Sequence, residues 1–303
     1  MPHSIVTRKC LVTGATGFVG RELCPALVAA GADVVAVSRT ANPSAVGQML
    51  AVDLAEQPLP EQALEDVATV IHLAGVAHQK ADASLYTRLN LDATLALARS
   101  AQAAGVRHFI FVSSVKAMGP ASDDHARSEA DVTPTDDAYG HSKWRAEEGL
   151  RDLAREGDMA VTILRPALVY GAQPKGNLAL LDRGISMGLP RPPEAGGRSM
   201  IGLPDLAVLL VKLVFHPPQG CHTWIVCDGQ RYSSRTVYDA LRARRGLGLA
   251  RSWLPAWMWR SAASVLGVRD KLFGSEYYDN GALVAALGWA PTVSLAEVLG
   301  ERD

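Results

Sequence analysis

The sequence predicts a doubly wound α/β fold, a parallel sheet with helices on both faces. Three observations carry that expectation. Cys10-Leu11-Val12-Thr13, short and apolar, runs into Gly14-Ala15-Thr16-Gly17-Phe18-Val19-Gly20 and then into a helical pattern over residues 18–30. Short buried-strand patterns then alternate with helical ones as far as Leu164. Hydrophobic residues make up 48% and charged residues 20% of the 303, enough to fill one large core and a smaller lobe.

The glycine turn has a physical reading. Gly14 permits the tight turn off the first strand, Gly17 leaves bare backbone for a pyrophosphate, and Gly20 lets the helix pack closely on the sheet. Unpaired N–H groups at the helix start then face the phosphates, aided by the helix dipole. The spacing is Gly-x-x-Gly-x-x-Gly, which differs from the Gly-x-Gly-x-x-Gly of other dinucleotide sites.

Residues 33–37 read as the second strand and deliver Ser38 and Arg39. An NAD site usually carries an acid there for the ribose 2′-hydroxyl. Ser38 and Arg39 suit a 2′-phosphate instead, so NADP(H) is favoured and NAD(H) remains open; a solvent-facing Arg39 stacked on adenine is the alternative. Residues 49–53 read as the third strand, with Asp53 placed to accept from the adenine amino group. Residues 69–75 read as the fourth, ending in small residues where backbone meets cofactor, with His72 inside it as a core histidine. A helix is expected over residues 85–104, stopped by Gly105. Asn90 within it either bonds neighbouring backbone or lies on the helix surface.

His108–Val112 reads as the fifth strand, with Ser113 and Ser114 at its carboxyl end, the edge where open parallel sheets bind ligands. Tyr139 opens a helix to about Glu156, and residues 160–164 read as the sixth strand, followed by Arg165 and Pro166. From Gly171 the pattern breaks, as Pro and Gly thicken through residues 173–177 and 189–197. A helix over 203–215 and a strand over 223–227 return to the main domain, and the chain from about Asp228 reads as a lobe of helices. The expected organisation is therefore a dinucleotide-binding domain over 1–170, with 199–227 returning to it, and a substrate-binding lobe from 171–198 and 228–303.

Several classes are disfavoured. A net charge of −1 argues against a nucleic-acid partner held by phosphate neutralisation. Cys10, Cys24, Cys221 and Cys227 show no metal-pair spacing, so no metal site is expected. No secretion signal opens the chain and no run of ~18 apolar residues occurs, so a cytoplasmic protein with reduced thiols is expected. Trp253, Trp257 and Trp259 follow Arg242, Arg244, Arg245 and Arg251. Such a segment suits a membrane surface, a packed helix of the small lobe or a subunit contact, and a homodimer is expected.

Tyr139 and Lys143 are four residues apart and share one helix face. A free phenol titrates near ~10. The Lys143 ammonium and the positive helix end are expected to lower that value, and Ser114 to bond the substrate oxygen that Tyr139 protonates or deprotonates. Together the three suit hydride exchange between an alcohol and a ketone.

With Gly14–Gly20, Ser113-Ser114, Tyr139-Gly140-His141-Ser142-Lys143 and Arg165-Pro166-Ala167-Leu168-Val169-Tyr170-Gly171, the chain resembles the extended short-chain dehydrogenase/reductases, the NAD-dependent epimerase/dehydratase group acting on nucleotide sugars. The resemblance implies Ser114, Tyr139 and Lys143 as catalytic residues. It implies cofactor contacts at Gly14, Thr16, Gly17, Phe18, Val19, Gly20, Ser38, Arg39, Asp53, Leu54, Leu73, Ala74, Gly75, Asn90, Ser113, Tyr139, Lys143, Pro166 and Leu168. Ser114, Lys116, Tyr139, Asn177 and Arg198 are implied on a UDP-sugar, the last two at its diphosphate. Ser113-Ser114-Val115-Lys116 and Lys175-Gly176-Asn177 further resemble a bacterial branch acting on UDP-N-acetylhexosamines, which includes UDP-N-acetylquinovosamine synthases and 4-epimerases. Met118 replaces that group's usual Tyr, which is expected to leave the substrate pocket less polar. The leading expectation is an NAD(P)H-dependent reductase of a UDP-linked 4-keto-6-deoxy sugar. The alternatives are a UDP-sugar 4-epimerase with bound NAD and a dinucleotide-binding protein without turnover.

Overall fold

The structure is a computed structural model that describes residues 8–41, 46–77, 82–120, 125–250, 254–265 and 274–300. The chain forms two units. One takes the chain up to Pro120, Val132–Arg165 and Ala207–Trp224; the other takes the segment ending at Asp131, Pro166–Leu206 and the chain from Ile225.

In the first unit β1 (Arg8–Thr13), α1 (Phe18–Ala29), β2 (Ala32–Ser38), β3 (Gln48–Ala51) and β4 (Thr69–His72) follow in order. Then come α2 (Ala83–Tyr86), a π-helical turn Thr87–Asp92, α3 (Ala93–Ala103), β5 (His108–Val112), α4 (Ala138–Glu156) and β6 (Ala160–Pro166). The sheet order is β3-β2-β1-β4-β5-β6, with the six pairing in parallel. The doubly wound fold is thus present. The order reverses between β1 and β4, so the turns after these two strands flank the switch point where such sheets bind ligands. Strand β10 (Cys221–Val226) adds at the β6 edge.

The strands are apolar because both sheet faces are covered. Leu11, Val35, Val70, Phe109, Phe111, Val161 and Ile163 pack with Leu97, Ala98 and Ala101 of α3 and Ala146, Leu150 and Leu153 of α4. Phe109 and Phe111 are wholly buried, each stabilising the core by about 1.5–3 kcal/mol.

The second unit holds β7 (Leu168–Tyr170) paired with β9 (Met200–Gly202), and β8 (Gly197–Arg198) paired with β11 (Ser275–Glu276). Helices α5 (Gly176–Ser186) and α7 (Ser234–Arg244) share a core of Leu178, Ile185, Val237, Tyr238 and Leu241. Helix α6 (Leu203–Phe215) passes from this unit to the first. Later come α8 (Ala256–Val265), α9 (Gly281–Leu287) and α10 (Leu295–Gly300).

The structure corrects five expectations of element. The third strand ends at Ala51, because the chain turns on Asp53, and the fourth ends at His72. The helix expected over 85–104 starts at Ala83 and carries a π-helical turn, in which Asn90 is fully buried. The Pro- and Gly-rich stretch after Gly171 contains α5, whose apolar face Leu178-Leu181-Ile185 is shorter than the window in which the periodicity shows. The last lobe also pairs short strands, so it is not made of helices alone. Residues 251–253, with Arg251 and Trp253, lie outside the described residues. Trp257 is 68% exposed, whereas Trp259 is buried. Among the described residues no helix is long and apolar enough to cross a membrane, and none of the Cys, His, Asp or Glu groups has metal-binding geometry.

Candidate active site

The glycine turn builds a cradle by having no side chains. Gly14 adopts φ +69°, and a Cβ there would stand 2.8 Å from the Ala74 backbone N at the end of β4. A Cβ on Gly20 would lie 2.5 Å from Gly14 O, and one on Gly17 would lie 3.0 Å from the same oxygen. Gly17 is the N-cap of α1 with no side-chain cap, and the first turn carries no acid. The helix therefore opens with unpaired N–H groups at the switch point, the arrangement that holds a pyrophosphate. These residues fit a dinucleotide.

The adenosine end is less committed. Ser38 is buried and its hydroxyl donates to Thr40 O at 2.5 Å, while Arg39 is exposed at the end of β2. Asp53 accepts from Ala55 N–H at 3.0 Å, closing its own turn. Leu54 packs against the core, and Leu73 and Ala74 are partly buried beside Gly14. Thr16 O accepts from the Arg21 side chain. Pro166 and Leu168 fall in the second unit, where Leu168 packs on the core.

His72 is a satisfied core group. Its Nδ1 lies 2.7 Å from Thr13 Oγ1 and its Nε2 lies 2.9 Å from Thr94 Oγ1. Ala74 N–H donates to Thr13, and Thr94 donates to Asn90 O. One neutral tautomer, with the proton on Nε2, satisfies the whole chain of bonds. Burial pushes the His72 pKa down to about 3, aided by Lys143. Asn90 continues the network: its Nδ2 donates to Val76 O and to Ser142 Oγ, its Oδ1 accepts from Val76 N–H, and Ser142 donates to Tyr139 O. A π-helical turn widens the helix by one residue and delivers this side chain inward.

Ser114 stands near Tyr139, and its hydroxyl favours the phenolate. Ser114 also caps the turn Val115–Met118, accepting from Lys116 N–H at 3.2 Å. Asp137 caps α4 by accepting from Gly140 N–H at 2.8 Å, which sets Tyr139 in the first turn. Lys143 is 4% exposed; its Nζ donates to Val112 O at 3.0 Å and stands 4.5 Å from the Phe111 ring centroid. A Cβ on Gly75 would lie 3.3 Å from that Nζ and 3.0 Å from Asn90 Oδ1, so the Gly75 backbone runs close beside both groups.

The charges differ from the sequence expectation. Tyr139 is pushed up to about 12, mainly by burial, against the Ser114 bond that lowers it; the nearby Asp137 and Tyr86 raise it further. Burial lowers Lys143 to about 8, opposed by the Glu147 carboxylate. The phenol is thus protonated at neutral pH, a correction to the lowered value expected from the helix dipole and the ammonium, because burial has the largest influence on it. Met118 is wholly buried and its carbonyl accepts from Thr133, so it packs inside and does not line an open pocket.

In the second unit Asn177 is exposed in the first turn of α5. Arg198 is partly buried on β8, its backbone bonded to Tyr232 in both directions. Lys116, in the first unit, is exposed. Sequence reasoning overlooked Glu147, to which Ser113, expected at the cofactor, is bonded. Ser113 donates to Glu147 at 2.6 Å, and Glu147 is bound to Arg165. The only sequence signal for Glu147 was its place one turn beyond Lys143 on the same helix face.

Known proteins share this fold. The profile of the NAD dependent epimerase/dehydratase family matches residues 10–188. A UDP-glucose 4-epimerase of Vibrio cholerae is 32% identical over 98% of this chain and 93% of its own. An N-acetyl-alpha-D-glucosaminyl-diphospho-ditrans,octacis-undecaprenol 4-epimerase of Escherichia coli O157:H7 is 30% identical over 59% of this chain and 54% of its own. Among solved structures, MoeE5 in complex with UDP-glucose and NAD superposes with a TM-score of 0.79 at 26% identity, over 96% of each chain.

Proposed function

As the chain belongs to the NAD-dependent epimerase/dehydratase family, we propose that it is a 4-epimerase of a UDP-linked sugar that works with NAD. The end-to-end similarity to the Vibrio cholerae enzyme carries this reading, joined to Ser114 near Tyr139 with Lys143 one turn on. NAD, when bound, supplies the hydride acceptor and donor for C4 of the sugar. Gly14, Gly17 and Gly20 would hold its pyrophosphate against backbone. Tyr139 Oη takes the proton of the C4 hydroxyl and returns it to the same oxygen after the sugar has turned its other face. Ser114 Oγ bonds that oxygen and keeps it in line with the phenol. The Lys143 ammonium favours the phenolate that the oxidising half needs. Asn177 and Arg198 would bind the diphosphate, the arginine through its two-pronged fork.

A second reading is an NADPH-dependent reductase of a UDP-linked 4-keto sugar. Two features favour it: burial raises Tyr139 to about 12, which keeps a proton on the phenol to give, and the end of β2 carries exposed Arg39 and no acid. The deciding experiment incubates the purified protein with UDP-glucose and with UDP-N-acetylglucosamine, without added reductant, and separates the products. Formation of the galacto epimer from either is the expected result. No interconversion, with stoichiometric loss of NADPH absorbance on a UDP-4-keto sugar, would overturn it in favour of the reductase.

A further inference from the structure

Glu147 is a buried carboxylate for which the proposed chemistry has no use. It sits one turn beyond Lys143 on α4, and its side chain has no exposed surface. Five hydrogen bonds from three elements converge on it. Ser113 Oγ, just past the end of β5, donates to Oε1 at 2.6 Å. Arg165, on β6, donates from Nε to Oε1 and Oε2 at 3.1 and 3.2 Å, and from Nη2 to Oε2 at 2.6 Å. Arg151, one turn further along α4, donates from Nη2 to Oε2 at 3.0 Å. Arg165 is itself 2% exposed. The same neighbourhood holds the backbone bond from Ser113 N–H to Leu164 O at 2.7 Å. The carboxylate therefore joins the ends of β5 and β6 to the middle of α4, directly below the residues assigned to chemistry.

The groups facing Lys143 are few. On α4 they are Tyr139, one turn before it, and Glu147, one turn after. On β4 it is His72, whose bonds to Thr13 and Thr94 suit the neutral ring. From the π-helical turn comes Asn90, which is uncharged. Arg165 of β6 and Arg151 of α4 bind Glu147. Around the buried ammonium stand the Val112 carbonyl and the Phe111 ring, neither of which carries a full charge.

We propose that Glu147 is a positioning residue that acts through Lys143: clamped by Ser113, Arg165 and Arg151, it sets the register of α4 against the sheet and supplies the negative charge that keeps the buried Lys143 ammonium cationic. The electrostatics agree, since burial lowers Lys143 to about 8 and Glu147 opposes that fall. Without the carboxylate, Lys143 sheds its proton at lower pH and no longer offers a cation to the phenol or to a bound cofactor. The inference rests on the reading in which Lys143 works as a cation. It does not depend on whether the sugar is epimerised or reduced.

The test follows NADH affinity and kcat/KM across pH 6–9.5 in the wild type and in Glu147→Gln. Wild type should lose both on an alkaline limb near pH 8, and Glu147→Gln should lose them at least one pH unit earlier. Gln at 147 removes the anion that the buried Arg165 guanidinium binds, which by itself destabilises. The double variant Glu147→Gln/Arg165→Met removes that buried cation and carries the same measurement, with thermal unfolding followed in parallel. A limb that stays in place in both variants would overturn the proposal, leaving Glu147 a packing residue. NADH affinity separates this from the functional reading: a shifted binding limb with no turnover on any UDP-sugar supports the role of Glu147 and rejects the substrate.

Discussion

The two ends of the site in the first unit are built on opposite principles. The glycine end is made of absences: Gly14, Gly17 and Gly20 leave room for a ligand and turn bare N–H groups toward it. The tyrosine end is made of side chains from β5, β6, α4 and the π-helical turn, buried together and bonded to one another. A backbone cradle binds through dipoles that do not titrate. A buried cluster of ionisable groups has its protonation set by neighbours and by the loss of water. The first end is thus sensitive to added volume, and the second to lost charge and to pH.

Removing the phenol should have the largest effect and touch one end only. Tyr139→Phe is expected to lower turnover by roughly 10²–10⁴-fold, the scale of a lost general acid or base, while NAD affinity stays near that of the wild type. Steady-state kinetics and a binding titration read the two together. Near-normal turnover would show that the proton is moved by another group.

Adding one methyl at the other end should reverse the pattern. A Cβ at Gly20 meets Gly14 O at 2.5 Å and Ala15 backbone at 2.6 Å, so the turn must open. Gly20→Ala is expected to cost about 1–3 kcal/mol of stability by overpacking, and to weaken NAD binding about tenfold or more. Thermal unfolding with and without NAD measures both. A variant that binds NAD as the wild type does would place the pyrophosphate elsewhere.

The histidine between the two ends links stability to pH. His72 titrates near 6.5 in the unfolded chain and at about 3 when folded, so its folded pKa is depressed. Its contribution is fully present above pH 6.5 and is lost as pH falls from 6.5 toward 3, because only the unfolded chain takes up the proton. Between pH 6.5 and 5 this amounts to about 1–2 kcal/mol. His108, at about 4 when folded, acts in the same direction. Denaturant midpoints at pH 7 and pH 5 should differ by more in the wild type than in His72→Gln. Equal differences would mean that the ring is protonated inside the fold.

The smallest expected effect tests the cofactor's adenosine end. Arg39 is exposed, so its bond to a 2′-phosphate is partly screened. Arg39→Ala should weaken NADPH relative to NADH by about 3–10-fold if the reductase reading holds, and by almost nothing if NAD is the working cofactor. Competitive binding of the two dinucleotides distinguishes these outcomes.

What was legible in the sequence divides along the same line. The strands β1, β2, β4, β5 and β6, the helix α6 and the cradle were readable because each is local: a run of apolar residues, a glycine where φ must be positive, a helix start. The π-helical turn was not, since a one-residue widening leaves the hydrophobic period almost unchanged. Helix α5 was hidden by the Pro and Gly around it and is held by the Val237-Tyr238-Leu241 face of α7, which lies far along the chain. His72 could be read as a core residue from its place inside a strand, but its partners Thr13 and Thr94 could not.

By itself the sequence determined the parallel α/β sheet, the glycine cradle after its first strand, and the presence of Ser114, Tyr139 and Lys143 in the order and spacing that suit alcohol–ketone chemistry. These follow from backbone geometry and from the 3.6-residue helical period, both of which act over a few residues. The tertiary structure alone decided the charge at the site. A helix dipole and a lysine four residues away argue for an acidic phenol, yet Tyr139 rises to about 12 and Lys143 falls to about 8. Burial sets both values. It depends on what β4, β5, α4 and the π-helical turn stack around each group, and the cost of removing water from a charge appears in no local pattern of residues.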